Sequence, residues 1–261
     1  MTDEHVPHLP AIDTTVPHSA RVWNWALGGK DHFEPDRLLG EHLLKHYPEA
    51  LNVARASREF LGRAVKALAV EEGVRQFLDI GTGLPTADNT HEVAQRYAPD
   101  ARIVYVDNDP LILLHARALL TSNPQGATDY VQADVQDPDT VLEEAARTLD
   151  FEKPVALMLL SMLGHIDPDE AALLVQEYTR RLPSGSFLAT CDSIDAPEMI
   201  KLNEDYAASG AVPYICRSEA QLAATADGLE ILPPGVVALN TWRPEGPLEP
   251  TYQWGLLARK P

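Results

Sequence analysis

RQFLDIGTGLPT, from Arg75 to Thr86, is the most informative local pattern in this chain. A short apolar run ends around Asp79 and breaks into two glycines, Gly81 and Gly83, and a polar run then leads into a helical pattern. This order predicts a buried strand, a tight turn and the start of a helix. Glycine lets the backbone approach a ligand, and the first turn of a helix has free N–H donors. The pattern therefore predicts a site for a nucleotide-like molecule at the end of a strand.

The residues around the glycines distinguish between two kinds of nucleotide ligand. A dinucleotide site favours a third glycine, but Thr86 occupies that place and Pro85 before it has no N–H. Asp79 would repel a pyrophosphate, whereas its carboxylate attracts a cationic ligand. S-adenosylmethionine carries an ammonium and a sulfonium, so Asp79 favours that cofactor over a dinucleotide.

Three further apolar runs predict buried strands: ARIVYVDNDP (Ala101 to Pro110), DYVQAD (Asp129 to Asp134) and PVALMLL (Pro154 to Leu160). Asp107 follows the glycine turn by a little over twenty residues, where a carboxylate can accept hydrogen bonds from ribose hydroxyls. The alternative role, a cap on a helix over Leu111 to Leu120, suits Asp109 better. Asp134 can accept from an adenine amino group, and its alternative role is a turn residue.

These motifs together resemble the Rossmann-like class of S-adenosylmethionine-dependent methyltransferases. The resemblance covers residues 76–188 and includes a glycine motif, a ribose-binding acid and an adenine-side acid, in LDIGTG, VYVDND and QAD. One departure is Pro85, which stands where many such enzymes have a third glycine, and it affects the expected shape of the loop more than the choice of cofactor.

Two longer segments are similar to a narrower, mainly actinobacterial group that was filed as a domain of unknown function. They are SARVWNWALGGKDHFEPDR, residues 19–37, and FLDIGTGLPTADNTHEVAQ, residues 77–95. The resemblance implies a cofactor and a reaction type but no acceptor. It implies a cofactor site made of Asp79, Gly81, Thr82, Gly83, Asp107, Asn108, Asp134, Val135 and Ser161.

Composition limits the class of protein. With 261 residues, 45% of them hydrophobic, the chain suits one α/β domain with a modest extra element. Two cysteines in unrelated contexts and no visible signal peptide predict the cytoplasm, and the longest apolar run is too short to span a membrane. The net charge of −18 argues against nucleic acid as a partner. The scattered histidines His5, His8 and His18 lack the spacing of metal ligands. The sequence leaves the oligomeric state open.

We expect an α/β fold: a Rossmann-like, mostly parallel seven-stranded sheet with helices on both faces and an antiparallel last strand. Residues 1–70 would form an N-terminal arm and helical layer of the same domain, and residues 71–261 the cofactor-binding core. A helical pattern starts at Ser19 and stops at Gly28-Gly29, and two more cover His42–Tyr47 and Leu51–Val70. The last two strands are expected over Val236–Trp242 and Tyr252–Ala258.

Residues that act on a methyl acceptor are harder to predict, because the sulfonium is already activated and the protein mainly positions two reactants. His165 is the first candidate for a general base, since it follows the fourth strand. Its alternative role is a surface or capping histidine. A fifth strand is predicted over SFLATC (Ser186 to Cys191), and Asp192 at its end is a second candidate or else a turn acid. Ser161 is expected to pack beside the cofactor rather than to react.

The segment after Gly28 and Gly29 contains Lys30, Asp31 and His32, an unusual run for a plain turn. These three residues are candidates for a lid over the cofactor or the acceptor, a hypothesis that rests mostly on the family resemblance. The alternative is a helix C-cap followed by a solvated loop. Tyr214 is a candidate for the acceptor pocket, or else a packing residue.

The leading hypothesis is therefore an S-adenosylmethionine-dependent methyltransferase acting on a small molecule. The sequence after the fourth strand lacks the D/N-P-P-Y/F segment of enzymes that methylate base amino groups. A non-catalytic module that binds S-adenosylmethionine, such as a sensor, is the alternative. A dehydrogenase that uses NAD is a third hypothesis, and Asp79, Pro85 and Thr86 count against it.

Overall fold

The computed structural model describes residues 12–109, 112, 115 and 121–261. His5, His8 and most of the helix expected over Leu111 to Leu120 lie outside the described residues. The described α-helices are α1 (Ser19–Ala26), α2 (Glu34–His46), α3 (Ala50–Val70), α4 (Thr90–Tyr97), α5 (Pro138–Ala145), α6 (Pro168–Arg181), α7 (Pro197–Ala208) and α8 (Glu219–Ala224). Short 3-10 helices span Leu163–His165 and Leu239–Thr241.

The strands form one sheet: β1 (Gln76–Ile80), β2 (Arg102–Asp107), β3 (Ala127–Gln132), β4 (Ala156–Leu160), β5 (Phe187–Ser193), β6 (Glu230–Ile231), β7 (Val237–Ala238) and β8 (Gln253–Arg259). Their order is β3-β2-β1-β4-β5-β8-β6, and β7 also pairs with β8. The first five strands are parallel, whereas β8 is antiparallel to β5, β6 and β7. The prediction of a mostly parallel sheet with an antiparallel last strand is confirmed.

The sheet has an eighth strand that the sequence does not predict, because β6 is only two residues long and shows no alternating pattern. The strand predicted over Val236–Trp242 is also shorter than expected, since pairing stops after Ala238. Arg63 on α3 donates to the carbonyl oxygens of Leu239 (2.6 Å) and Trp242 (2.9 Å), which takes those carbonyls out of the ladder.

Each face of the sheet has its own apolar core, because successive side chains of a strand point to opposite faces. Phe77 of β1 packs with Phe60 of α3 and with α4, whereas Leu78 packs with Val175 of α6. Asp79 shares the face of Phe77, and so its carboxylate points toward the side covered by α3 and α4. This placement brings an acid to the carboxyl end of the sheet beside the N-terminal layer.

The helices α1 to α3 form the expected N-terminal layer. A buried ion pair joins α1 to α2, with 2.9 Å between Arg21 Nε and Asp36 Oδ2. The second helix begins at Glu34, eight residues before the predicted start, because Asp36 also accepts the backbone N–H of Phe33 at 2.8 Å and caps the first turn. Among the helices that the structure describes, none is long and apolar enough to cross a membrane.

Candidate active site

A cavity of about 380 Å³ lies at the carboxyl ends of β1, β2, β3 and β4. Its volume falls in the range of small-molecule sites, about 300–1,000 Å³. All nine residues that the sequence predicts for the cofactor line this cavity: Asp79, Gly81, Thr82, Gly83, Asp107, Asn108, Asp134, Val135 and Ser161. The four strand ends that carry these residues are neighbours in the parallel part of the sheet, which explains why residues so far apart in sequence meet.

The glycine turn after β1 needs glycine for its backbone shape and for the space around it. Gly81 has φ of 74° and Gly83 has φ of 63°, both in the region that side chains disfavour. A Cβ atom at Gly81 would collide with the side chain of Met162, which follows β4. The turn is therefore packed directly against the loop that ends the fourth strand.

Asp107 fixes the turn from the end of β2. Its Oδ2 accepts the N–H of Gly83 at 3.1 Å and its Oδ1 accepts the N–H of Asp109 at 3.0 Å. Burial raises the pKa of Asp107 to about 6, against the effect of these two hydrogen bonds. Each carboxylate oxygen keeps a further lone pair, so Asp107 can still accept hydrogen bonds from a ligand in the cavity.

Asp79 is buried and lines the same cavity as Arg58, which the sequence analysis did not predict. The hydroxyl of Thr90 donates to Asp79 Oδ2 at 2.6 Å, while burial raises the pKa of Asp79 to about 6. Arg58 of α3 also lines the cavity, and it has no hydrogen bond or salt bridge to any residue that the structure describes. Burial lowers the pKa of Arg58, and the charge of Asp79 acts in the opposite direction. A carboxylate and a guanidinium that both line the cavity thus keep hydrogen-bonding capacity for a ligand.

Asp134 occupies a more open place, at the rim beyond β3. Its carboxylate accepts the N–H of Gln136 at 2.9 Å, and its side chain is exposed. Val135 beside it is buried and supplies an apolar wall. This part of the cavity combines an acceptor with an apolar surface, which is what a flat heteroaromatic ring with an amino group requires.

The loop after β4 carries two functional candidates. Ser161 adopts φ of 57°, and its hydroxyl lies 3.0 Å from the hydroxyl of Ser57 on α3. His165 Nδ1 lies 3.0 Å from the carbonyl oxygen of Pro213, and since a carbonyl only accepts, Nδ1 must carry the proton. Burial lowers the pKa of His165, so the neutral ring with a proton-free Nε2 is favoured near neutral pH.

A second cavity, of about 120 Å³, adjoins the first on the side of the N-terminal layer. Four residues line both cavities: Ser19, Trp23, Ser161 and His165. We call the surface that these four residues form the shared wall. Tyr214 lines the second cavity, as the sequence suggests for an acceptor pocket. Its ring meets the ring of His165 edge to face, with 5.1 Å between the centroids.

Asp192 lies behind this region and lines neither cavity. Its carboxylate accepts the hydroxyl of Tyr214 at 2.6 Å and the guanidinium of Arg217 at 2.9 Å, and both charged groups are fully buried. Arg217 in turn donates to the carbonyl oxygen of Ile166 at 3.1 Å. These contacts make Asp192 an anchor for Tyr214 and for the loop that carries His165, a role different from that of a base.

The segment Lys30 to His32 lines neither cavity, in contrast to the expected lid. Gly28, with φ of 78°, ends α1 and turns the chain away, and Asp31 Oδ1 lies 3.3 Å from His115 Nε2. The residues of the layer that do reach the larger cavity come from α1 and its cap and from α3: His18, Ser19, Ala20, Trp23, Asn24, Ser57, Arg58 and Leu61. A role of Lys30, Asp31 and His32 in acceptor binding stays a prediction.

The family of the chain follows from comparison with known proteins. A family model described as S-adenosyl methyltransferase matches residues 6–260. The chain belongs to this family. The methyltransferase is 40% identical to a DUF574 family protein of Streptomyces avermitilis, with a TM-score of 0.92 over 96% of this chain and 100% of that one. It is 39% identical to a proposed methyltransferase of Thermobifida fusca, with a TM-score of 0.89 over 98% and 99% of the two chains.

A more distant structure shares the fold of this methyltransferase. Magnesium protoporphyrin IX methyltransferase of Synechocystis, with S-adenosylhomocysteine bound, gives a TM-score of 0.55 at 12% identity, over 92% of this chain and 93% of that one. A comparison with curated protein sequences gives no match. The enzyme is thus an S-adenosylmethionine-dependent methyltransferase with a Rossmann-like fold, and the sequence-based assignment to an actinobacterial methyltransferase group is confirmed.

Proposed function

We propose that this methyltransferase methylates a small molecule held in the second cavity, across the shared wall from S-adenosylmethionine. The observation that carries the proposal is that Ser161 and His165 line both cavities. Methyl transfer needs donor and acceptor side by side, and the protein supplies most of the rate by holding them so. The small volume of the second cavity and the net charge of −18 favour a small molecule over nucleic acid.

The larger cavity fits the parts of the cofactor in order. Asp79 would hold the ammonium and Arg58 the carboxylate of the amino-acid group, because both side chains line this cavity and each acts on the other's charge. Asp107 would accept from the ribose hydroxyls, and Asp134 from the adenine amino group. When bound, S-adenosylmethionine supplies a methyl group on a sulfonium, so the protein has no need to activate the donor.

His165 is the proposed general base. Its Nδ1 proton is held by the carbonyl of Pro213, and burial lowers its pKa, which leaves Nε2 ready to accept a proton. A base of this kind contributes about 10²–10⁴-fold where the acceptor must lose a proton. Tyr214, anchored by Asp192, keeps the histidine ring in place by the edge-to-face contact.

The experiment has two parts. Calorimetry with S-adenosylmethionine, S-adenosylhomocysteine and NAD tests the cofactor, and NAD binding alone would refute the proposal. Incubation with a metabolite extract then tests turnover to S-adenosylhomocysteine. His165→Gln should lower turnover about 10²–10⁴-fold with unchanged cofactor affinity, whereas His46→Gln on the exposed side of α2 should have no effect. Cofactor binding without turnover in any extract would favour a non-catalytic module.

The roles of the two parts of the chain, residues 1–70 and residues 71–261, are also a proposal. The boundary between residues 1–70 and 71–261 falls at the end of α3, and α1 of the first part reaches both cavities. We assign the role of lid to α1 within one domain. A cytoplasmic location stays a prediction from the sequence.

A further inference from the structure

The second cavity has about the size of one six-membered ring. Its volume is about 120 Å³, and an apolar cavity of about 150 Å³ in another protein holds benzene. Most of its lining is apolar and comes from α1, α2, α3 and α7, including Val22, Leu43, Val53, Met199 and Leu202. A molecule with two fused rings would therefore exceed the volume of this cavity.

The lining offers nothing to balance a charge. Among the described residues that line the second cavity, none is an aspartate, glutamate, lysine or arginine. A charged acceptor would lose its hydration there without gaining a counter-ion, which costs far more than the transfer of a neutral ring. His165 is also held neutral, so the cavity favours an uncharged acceptor.

One polar group in this cavity lacks a partner. Tyr206 of α7 is 7% exposed, and its hydroxyl has no hydrogen-bond partner in the described part of the chain. Burial raises the pKa of Tyr206, and the nearby side chain of Ser19 acts in the opposite direction. Buried hydroxyls are normally hydrogen-bonded. Tyr206 lines the second cavity and not the larger one, so a polar atom of a molecule bound there would complete its bonding.

We infer that the acceptor is an uncharged, single-ring compound with a hydroxyl at the shared wall and a second polar substituent that pairs with Tyr206. This inference rests on the proposed function and adds the substrate class, for which a neutral phenol is the simplest representative. In the transfer the phenol oxygen forms a bond to the methyl carbon, the C–S bond breaks with its electron pair going to sulfur, and the hydroxyl proton passes to His165. The products are a neutral methyl ether and neutral thioether sulfur.

The test compares four phenols by the rate at which S-adenosylhomocysteine forms. They are 4-hydroxyacetophenone, 4-ethylphenol without the second polar group, 4-hydroxybenzoate with a charge, and 6-acetyl-2-naphthol with two rings. We expect kcat/KM to be highest for 4-hydroxyacetophenone and about tenfold or more lower for the charged and the two-ring compounds.

Tyr206→Phe provides the residue-level test. Loss of its hydroxyl should raise KM for 4-hydroxyacetophenone about tenfold and leave KM for 4-ethylphenol unchanged. The melting temperature and the affinity for S-adenosylmethionine should stay as in the wild type, because the hydroxyl has no hydrogen-bond partner among the residues that the structure describes. Tyr97→Phe, on the exposed part of α4, is the matched control and should change neither KM.

Two results would overturn the inference: equal or faster turnover of the charged or two-ring compound, or an equal effect of Tyr206→Phe on both neutral single-ring phenols. If no phenol is methylated while an extract supports turnover, the substrate class is wrong and the proposed function stands. If S-adenosylmethionine does not bind, the proposed function itself fails.

Discussion

Asp107 should determine both the affinity for S-adenosylmethionine and the way that affinity changes with pH. Asp107→Asn keeps the shape of the side chain but removes its charge and one of its acceptor oxygens. The carboxylate now accepts the N–H of Gly83 through one oxygen and of Asp109 through the other. An amide can accept only one of these and presents its own N–H to the other, so the glycine turn also loses a support.

The size of the effect has two parts. Hydrogen bonds to a charged acceptor contribute about 1.5–3 kcal/mol, so the dissociation constant at pH 7 should rise about ten- to a hundred-fold. The pKa of Asp107 is raised to about 6, as is that of Asp79. Each carboxyl is therefore mostly charged at pH 7 and mostly neutral at pH 5, and each neutralisation weakens binding about tenfold over this range. Wild-type affinity should fall about a hundredfold from pH 7 to pH 5, and the variant's affinity only about tenfold.

Calorimetric titration at pH 5, 6 and 7 measures both the dissociation constant at pH 7 and its change with pH. The control is Asp129→Asn on β3, where the aspartate bonds to Thr148 at 3.0 Å and does not line the cavity. Its affinity and pH dependence should match the wild type, and melting temperatures check that both variants fold. A folded Asp107→Asn protein with wild-type affinity, or with an unchanged pH dependence, would refute the assignment of this carboxylate to the cofactor.

Three further substitutions test other parts of the site. Arg58→Met should lower the affinity for S-adenosylmethionine at least tenfold but leave the affinity for 5′-methylthioadenosine, which lacks the amino-acid group, unchanged. Equal losses of affinity for both ligands in calorimetry would argue against the contact with the carboxylate. Gly81→Val should abolish cofactor binding, because the new side chain meets Met162 and requires an unfavourable φ; normal binding would place the cofactor elsewhere. Arg217→Met leaves the charge of Asp192 without its ion-pair partner in the interior, so the free energy of unfolding measured in urea should fall by about 3–5 kcal/mol. A fall of less than about 1 kcal/mol would contradict the role of the buried pair.

The sheet and the acids at its edge could be predicted because their signals are local. A buried parallel strand is a short apolar run, and an acid such as Asp107 that ends the run must lie at the same edge as the other strand ends. Helix caps depend on equally local patterns: Asp167 accepts the N–H of Asp169 at 3.0 Å, and Ser218 forms a capping box with Gln221 at the start of α8.

Residues contributed by the N-terminal layer could not be predicted, because packing decides which helix residues reach the cavity. Arg58 lies in the middle of α3, and the only sequence signal for it is a cation on a helix that is otherwise packed on the sheet. The glycine pair after α1 has the composition of a hinge, yet Gly28 acts as a helix end and directs Lys30 away from the cavity. The ion pair of Asp192 with Arg217 could not be predicted either, since Arg217 is twenty-five residues away along the chain.

The shared wall couples the two binding events. Ser19 and Trp23 of α1 face both cavities, so a ligand that orders these side chains in one cavity lowers the entropy cost of binding in the other. By thermodynamic linkage the gain is mutual: the factor by which cofactor raises affinity for acceptor equals the factor by which acceptor raises affinity for cofactor. The enzyme should therefore show heterotropic cooperativity without a second site outside the catalytic centre, and an acceptor too small to touch α1 should bind without it.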